Sequence, residues 1–277
     1  MPTAFLPDRA FVSIGGPDAE HFLQNLITTD LGALVADEWR PGALLTPQGK
    51  ILFDFLISRS DDSFLIDIRA DQLDAFVKRM TMYRLRAAVT IEARSETGAT
   101  VRWGEAASKV LDHRFALAGS TVSREVGQTG AATDRAGYDA LRVIHGVPES
   151  SADYALQDAF PHDILLDKTG GVSFRKGCYV GQEVVSRMQH RSTARRRVVI
   201  VSAEIALPAS GTEISIGGKS IGTLGTVAGE RGLAIVRIDK AGEAMAAGDP
   251  ILAGDVAVTL VLPAWSGLTF PSSAEEA

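Results

Sequence analysis

The sequence predicts an α+β fold with an antiparallel sheet, followed by a small β-barrel. Three observations carry this. In the first hundred residues short runs of strand period, joined by turn residues, are interspersed with runs of helical period. No P-loop, no GxGxxG after a strand and no HExxH occurs. After Arg197 the texture changes to short strands separated by Gly and Pro signals.

Residues 9–16 alternate as a strand, and Pro17-Asp18-Ala19-Glu20 opens a helix whose apolar face is Phe22, Leu23, Leu26 and Ile27. Strands at 43–45 and 51–58 bracket Thr46-Pro47-Gln48-Gly49-Lys50, which reads as the turn between them. The Asp61-Asp62 turn leads into a strand at 64–68, and Asp71 starts a helix carrying Leu73, Phe76, Val77 and Met80. A strand returns at 88–93, and the polar stretch 119–137 holds turns and a short strand. Residues 138–145 form a helix stopped at Gly146, with Pro148 just beyond. Residues 146–161 are a long irregular connection of the kind that carries function or moves. Strands at 198–203, 213–216, 220–227, 233–238 and 256–261 make the barrel. The expected division is 1–194 for the α+β region, 195–270 for the barrel and 271–277 for a disordered tail.

With 277 residues, 45% hydrophobic and 22% charged, the composition is that of an ordinary soluble globular protein. A single cysteine excludes an intrachain disulfide and an all-cysteine zinc or iron–sulfur site within one chain. The histidines at 21, 113, 145, 162 and 190 lack metal-ligand spacing, so no metal site is expected. Residues 1–16 lack a basic start and an apolar h-region, and no run of about 18 apolar residues occurs. Neither signal peptide nor membrane span is expected, and the expected location is cytoplasmic. A net charge of −6 argues against broad nucleic-acid affinity. Residues 187–197 nevertheless hold five arginines and His190 with no acid, while 204–277 hold nine acids and four bases. Such a run is either a solvated face or an anion site for phosphate or ligand carboxylates, with RNA contact the weaker reading.

The lone thiol sits in Lys176-Gly177-Cys178-Tyr179-Val180-Gly181-Gln182-Glu183. Free cysteine usually behaves as a small buried hydrophobe. The neighbours here argue for a reactive site instead. Residues 172–176 alternate as a strand, which places Lys176 and Cys178 on one side, where an ammonium raises the thiolate fraction. Gly177 and Gly181 permit positive φ or close approach. From Gly181 onward Glu183, Val184, Val185, Arg187 and Met188 fit a short helix, with Gln182 and Glu183 in its first turn and a Glu183–Arg187 pair on one face.

Residues 176–187 resemble the signature of the YgfZ family of folate-binding proteins: Lys-Gly-Cys-aromatic-X-Gly-Gln-Glu, three residues, then Arg or Lys. Lys176, Gly177, Cys178, Tyr179, Gly181, Gln182, Glu183 and Arg187 fill every defined position. Phe22-Leu23-Gln24-Asn25-Leu26 to Asp30, Leu45 to Lys50, Gly146-Val147-Pro148-Glu149 and Gly170-Gly171-Val172-Ser173-Phe174 are similar to family segments in the same order. The 146–149 segment brings the chain close to the mitochondrial iron–sulfur assembly members. The family is related to the aminomethyltransferase, or T-protein, of glycine cleavage. The resemblance implies a ring-like assembly of α+β subdomains with a C-terminal antiparallel β-barrel and a central pocket for tetrahydrofolate or a derivative. It also implies a role in assembly or repair of four-iron clusters, alongside iron–sulfur assembly proteins or client enzymes, with an indirect effect on tRNA modification.

Two departures bear on the enzyme chemistry of that relative. Ile144 stands where the aminomethyltransferases hold the pterin with a glutamate, and their paired aspartates become Phe53 and Asp54. Asp54 is then the remaining carboxylate for folate or an outward strand residue, Tyr138 a ring stacked on the ligand or a packing residue, and Arg191 a cation for folate carboxylates together with 195–197. Ser192 stands where many family members carry glycine. The leading function is a folate-binding accessory protein of iron–sulfur cluster maintenance, with Cys178 as the essential thiol and Lys176 tuning it. The alternatives are a tetrahydrofolate-dependent one-carbon transferase with Asp54 as acid/base, and an RNA-contacting protein using 187–197.

Overall fold

The computed structural model describes residues 2–60, 63–104, 110–128, 134–191 and 194–271. The Asp61-Asp62 turn, Ser192, part of the 119–137 stretch and nearly all of the 271–277 tail lie outside them. The elements in order are β1 (Thr3–Gly15), α1 (Ala19–Gln24), β2 (Glu38–Leu45), β3 (Ile51–Ser60), β4 (Ser63–Arg69), α2 (Leu73–Arg84), β5 (Thr90–Trp103), β6 (Leu111–Asp112), α3 (His113–Ala116), β7 (Val122–Val126), α4 (Arg135–His145) and α5 (Gln182–His190). They continue with β8 (Arg196–Ser202), β9 (Glu213–Ile216), β10 (Lys219–Ala228), β11 (Arg231–Arg237), α6 (Ile238–Ala247), β12 (Ile251–Ala253), β13 (Val256–Ala257) and β14 (Thr259–Val261). The chain forms two compact units, one of Met1–Tyr138 with Leu166–Gln182, the other of Asp139–Leu165 with Glu183–Ala277.

In the first unit seven strands close into a barrel in the order β1-β4-β3-β2-β6-β7-β5, with β5 pairing back onto β1. All pairs are antiparallel except β2–β6. Pro7 cannot donate to a ladder, and the β1–β5 register shifts beside it, between Leu6 and Ala10. Alternation along β1 then sends Val12 and Ile14 into a layer with Phe22 and Leu23 of α1 and Phe76 and Met80 of α2. Phe11 goes to the opposite, inward face with Trp39, Leu56 and Ala99. On that same inward face Asp67, fully buried, accepts from Arg9 Nε at 2.6 Å and from Arg124 Nε. Burial alone would raise the Asp67 carboxyl; the Arg124 and Arg9 guanidiniums outweigh it and hold the group below its usual range.

The second unit carries an antiparallel sheet in the order β13-β12-β9-β10-β11-β8-β14. Its two edge strands are neighbours in sequence, separated only by Val258, so the sheet curls until its edges meet at one corner and is barrel-like. Its core joins Val199, Val201, Leu224, Val236 and Leu260 to Ile238, Ala241 and Ala244 of α6.

The strand expected at 172–176 does not form. Ser173 Oγ accepts from the N–H groups of Arg175 and Lys176, Ser173 N–H bonds Thr28 O, and Val172 N–H bonds Leu166 O. A local hydroxyl has taken the donors that a strand ladder needs. Gly146, at φ 67°, stops α4 as expected. A Cβ there would fall on the Pro263 ring.

Candidate functional site

Three segments of the first unit converge beneath the cysteine. After α1, Ile27 bridges to Leu44, Thr28 N–H bonds Ala43 O and Thr28 Oγ1 accepts from Ala43 N–H, which lays 27–29 along β2. Gln24 and Asp30 brace that segment through Gln24 Nε2 to Asp30 Oδ1 at 2.8 Å and Leu31 N–H to Gln24 Oε1. Thr28 Oγ1 also donates to Gly171 O at 2.6 Å, and Lys176 Nζ donates to Ile27 O at 2.9 Å and Thr29 O at 2.7 Å. The stretch 171–176 is thus fastened to 27–29 at both ends.

Gly181 closes the far side. Its φ is +79°, and a Cβ would lie 2.5 Å from Thr46 O and 3.0 Å from Leu45 Cβ. Only glycine lets this backbone rest on the 46–50 turn, which Thr46 N–H to Lys50 O and Gly49 N–H to Thr46 O hold in shape. Between the two anchors the side chains part. Tyr179 is buried, Val180 packs on the layer under α1 and α2, and Cys178 is exposed. The Tyr179 hydroxyl has no hydrogen-bond partner, and burial pushes it up to about 12.

Lys176 is therefore engaged with backbone, and its ammonium also lies 5.5 Å from the Tyr179 ring centroid. Burial lowers it to about 8, with Asp30 pulling the other way. The strand argument for Lys176 and Cys178 facing one way does not apply, because 172–176 is not a strand. Gly177 has no atom within 4 Å of a Cβ position, so nothing in the fold demands glycine there. Gln182 N–H bonds Tyr179 O at the start of α5. Glu183 and Arg187 are both exposed on α5, and no ion pair joins them.

The other predicted residues lie elsewhere. Asp54 is half-buried on β3, opposite Ala43 and on the same face as Leu56. Tyr138 is fully buried, with the rings of Trp103 and Phe115 at 6.5 and 6.3 Å. In the second unit Ile144 is half-exposed on α4. Arg191 is exposed; Arg196 pairs with Asp158 at 3.2 Å, and Arg197 is buried, donating to His162 O at 2.7 Å. Asp163, 2% exposed, accepts from Phe160 N–H and lies 3.7 Å from Arg196. Burial raises its carboxyl to about 6 against these partners.

Arg142 is the residue that sequence reading missed. Completely buried, it donates to Val147 O, Asp153 Oδ2, Asp139 Oδ1 and Thr226 Oγ1 at 2.8–3.2 Å. Asp153 also accepts from Glu149 and Thr226 N–H. The signal was an arginine on the inner side of a helix next to a glycine stop, with one acid three residues before it and two more within the eleven residues after it. Among the described residues no group of three or more His, Cys, Asp and Glu is placed to hold a metal ion, and no helix is long and apolar enough to cross a membrane.

The family described as CAF17, C-terminal beta-barrel domain, matches residues 195–268. The chain is 30% identical over 303 residues to the mitochondrial iron–sulfur cluster assembly factor IBA57 of Mus musculus, covering 94% of this chain and 84% of the mouse protein. It is 32% identical over 239 residues to the mitochondrial IBA57 homolog of Chaetomium globosum, covering 71% of this chain and 55% of that longer protein. The crystal structure of aminomethyltransferase T of the glycine cleavage system from Bartonella henselae superposes with a TM-score of 0.68 at 15% identity, over 94% of this chain and 84% of that one, and shares the fold. The relatives correct the expected cytoplasmic location, since they are mitochondrial proteins. A missing apolar h-region and membrane span do not distinguish cytosol from an organelle interior.

Proposed function

This chain belongs to the family of IBA57-type iron–sulfur cluster assembly factors, and on that premise we propose that it assists assembly or repair of four-iron clusters through the thiol of Cys178. The observation that carries the proposal is an exposed sulfur on a loop fastened at both ends, by Lys176 on one side and Gly181 on the other. A thiolate is both nucleophile and iron ligand. The cluster is the cargo, and Cys178 offers it one ligand. Because the chain has one cysteine, the remaining ligands come from a partner protein that carries or receives the cluster. Cys178 is itself exposed, so its sulfur is open to solvent.

The YgfZ-like signature adds tetrahydrofolate, or a derivative, as the proposed ligand, and an indirect effect on tRNA modification. The residues fit that ligand only in part. Asp54 offers a carboxylate and exposed Arg191 a cation, whereas Ile144 offers no charge to a pterin edge and the Tyr138 ring is packed among Trp103 and Phe115. Loss of such a charge-assisted bond costs about 1.5 to 3 kcal/mol. Titration calorimetry with tetrahydrofolate and its 5-formyl derivative tests this arm, and absence of heat with both removes it. For the main arm, the chain is expressed in cells lacking their own factor of this family. Recovery of a four-iron enzyme is expected, and no recovery overturns the proposal.

A further inference from the structure

The end of α2 presents a surface that the cluster-assembly reading does not use. Between Asp74 and Glu92 the chain has four bases, Lys78, Arg79, Arg84 and Arg86, and no acid. None of the four forms an ion pair among the described residues. Elsewhere in the same unit Arg59, Arg69, Arg94 and Arg102 each pair with a carboxylate. In a chain of net charge −6 an unneutralised basic cluster is a marked local exception.

Two apolar side chains stand in the middle of it. Met82 is 60% exposed and Leu85 89% exposed. Leu85 also holds φ 43° and ψ −101°, a backbone conformation that costs a branched side chain energy and fixes it outward beyond the helix end. Strain that presents an apolar side chain to water gives the isolated fold nothing, but it pre-organises an anchor.

We propose that the tip of α2, with Leu85 and Met82 as anchor and Lys78, Arg84 and Arg86 as rim, docks a partner protein bearing carboxylates around an apolar pocket. Charge complementarity selects an acidic occupant. Three of the four bases are arginines, whose planar fork pairs carboxylates in two-point contacts. Met, Arg and Tyr83 beside them, without acids, make up the composition of a protein interface. A bilayer is the poorer occupant because Phe76 and Met80, the main apolar stripe of α2, are already buried in the core and leave no amphipathic face to lie in lipid.

The test uses the full chain in its own cells, with photocrosslinking p-benzoylphenylalanine in place of Leu85 and, as a control, in place of exposed Ile205. The expected result is one predominant adduct from position 85, on an Asp- and Glu-rich peptide of an acidic protein, absent from position 205. Its yield falls about tenfold when Arg84→Glu and Arg86→Glu are combined. Adducts that ignore the charge reversal, or no protein adduct at 85, overturn the proposal. So does co-flotation of the chain with vesicles holding about 30% anionic phospholipid that the same pair abolishes. Leu85→Gly guards against misfolding. It relieves the positive φ, so the unfolding midpoint holds or rises while affinity for the crosslinked partner drops about tenfold; unchanged affinity counts against Leu85 as anchor.

Discussion

The segments 176–182 and 142–149 both carry residues that resemble one family, and they are built in opposite ways. Around Arg142 a buried guanidinium satisfies a carbonyl, two carboxylates and a hydroxyl, and Asp153 satisfies two backbone donors. Around Cys178 the anchors lie on either side, and the central atom is left in solvent. Motif specificity is therefore no measure of chemical role. In 142–149 the fold uses the motif; in 176–182 the fold holds it for something else.

The comparison breaks most readily at Arg142. Arg142→Ala leaves Asp139 and Asp153 without their main cation and is expected to cost about 3 to 5 kcal/mol in chemical denaturation. Gly181→Ala forces a side chain to positive φ and into Thr46 O, and is expected to cost about 2 kcal/mol or more. A loss below about 0.5 kcal/mol there contradicts the account of the second anchor.

Asp163→Asn goes the other way. Its carboxyl is raised to about 6 from its ordinary 3.8, so the native chain binds more protons between those values and stability falls as pH rises through about 4 to 6. The asparagine removes that slope while still accepting from Phe160, and stability at pH 7 is expected to rise by about 1 to 2 kcal/mol. Lys176→Met is expected to cost about 1 kcal/mol, two lost hydrogen bonds being offset by relief of a buried charge. Because Lys176 is depressed to about 8 from 10.5, the native chain binds fewer protons in that window and wild-type stability rises with pH across it. That rise vanishes in the methionine variant, as pH-dependent melting will register.

Much of the fold was legible because alternation and turn residues coincide. The strands at 51–58, 64–68 and 213–216 are found within β3, β4 and β9. The helix α6 was not legible, since it starts at Ile238 directly after β11 with no turn residue between, so that Ile238 reads as the last apolar position of the strand. Nor was the turn at 172–176, where Ser173 captures two N–H groups that alternation cannot anticipate. At the site, Cys178, Lys176 and Gly181 were readable as residues. Their anchors were not, because Ile27 and Thr29 act through carbonyl oxygens, about 150 positions away in the chain, and any side chain supplies those.

The central claim is that Cys178 is held by the fold without contributing to it. Cys178→Ala should unfold within about 0.5 kcal/mol of the wild type. The decisive reading is the activity of a four-iron enzyme in cells that lack their own factor and express this variant at wild-type level. Loss of the recovery that the unaltered chain supports is the predicted result, and recovery equal to that of the unaltered chain would contradict the account.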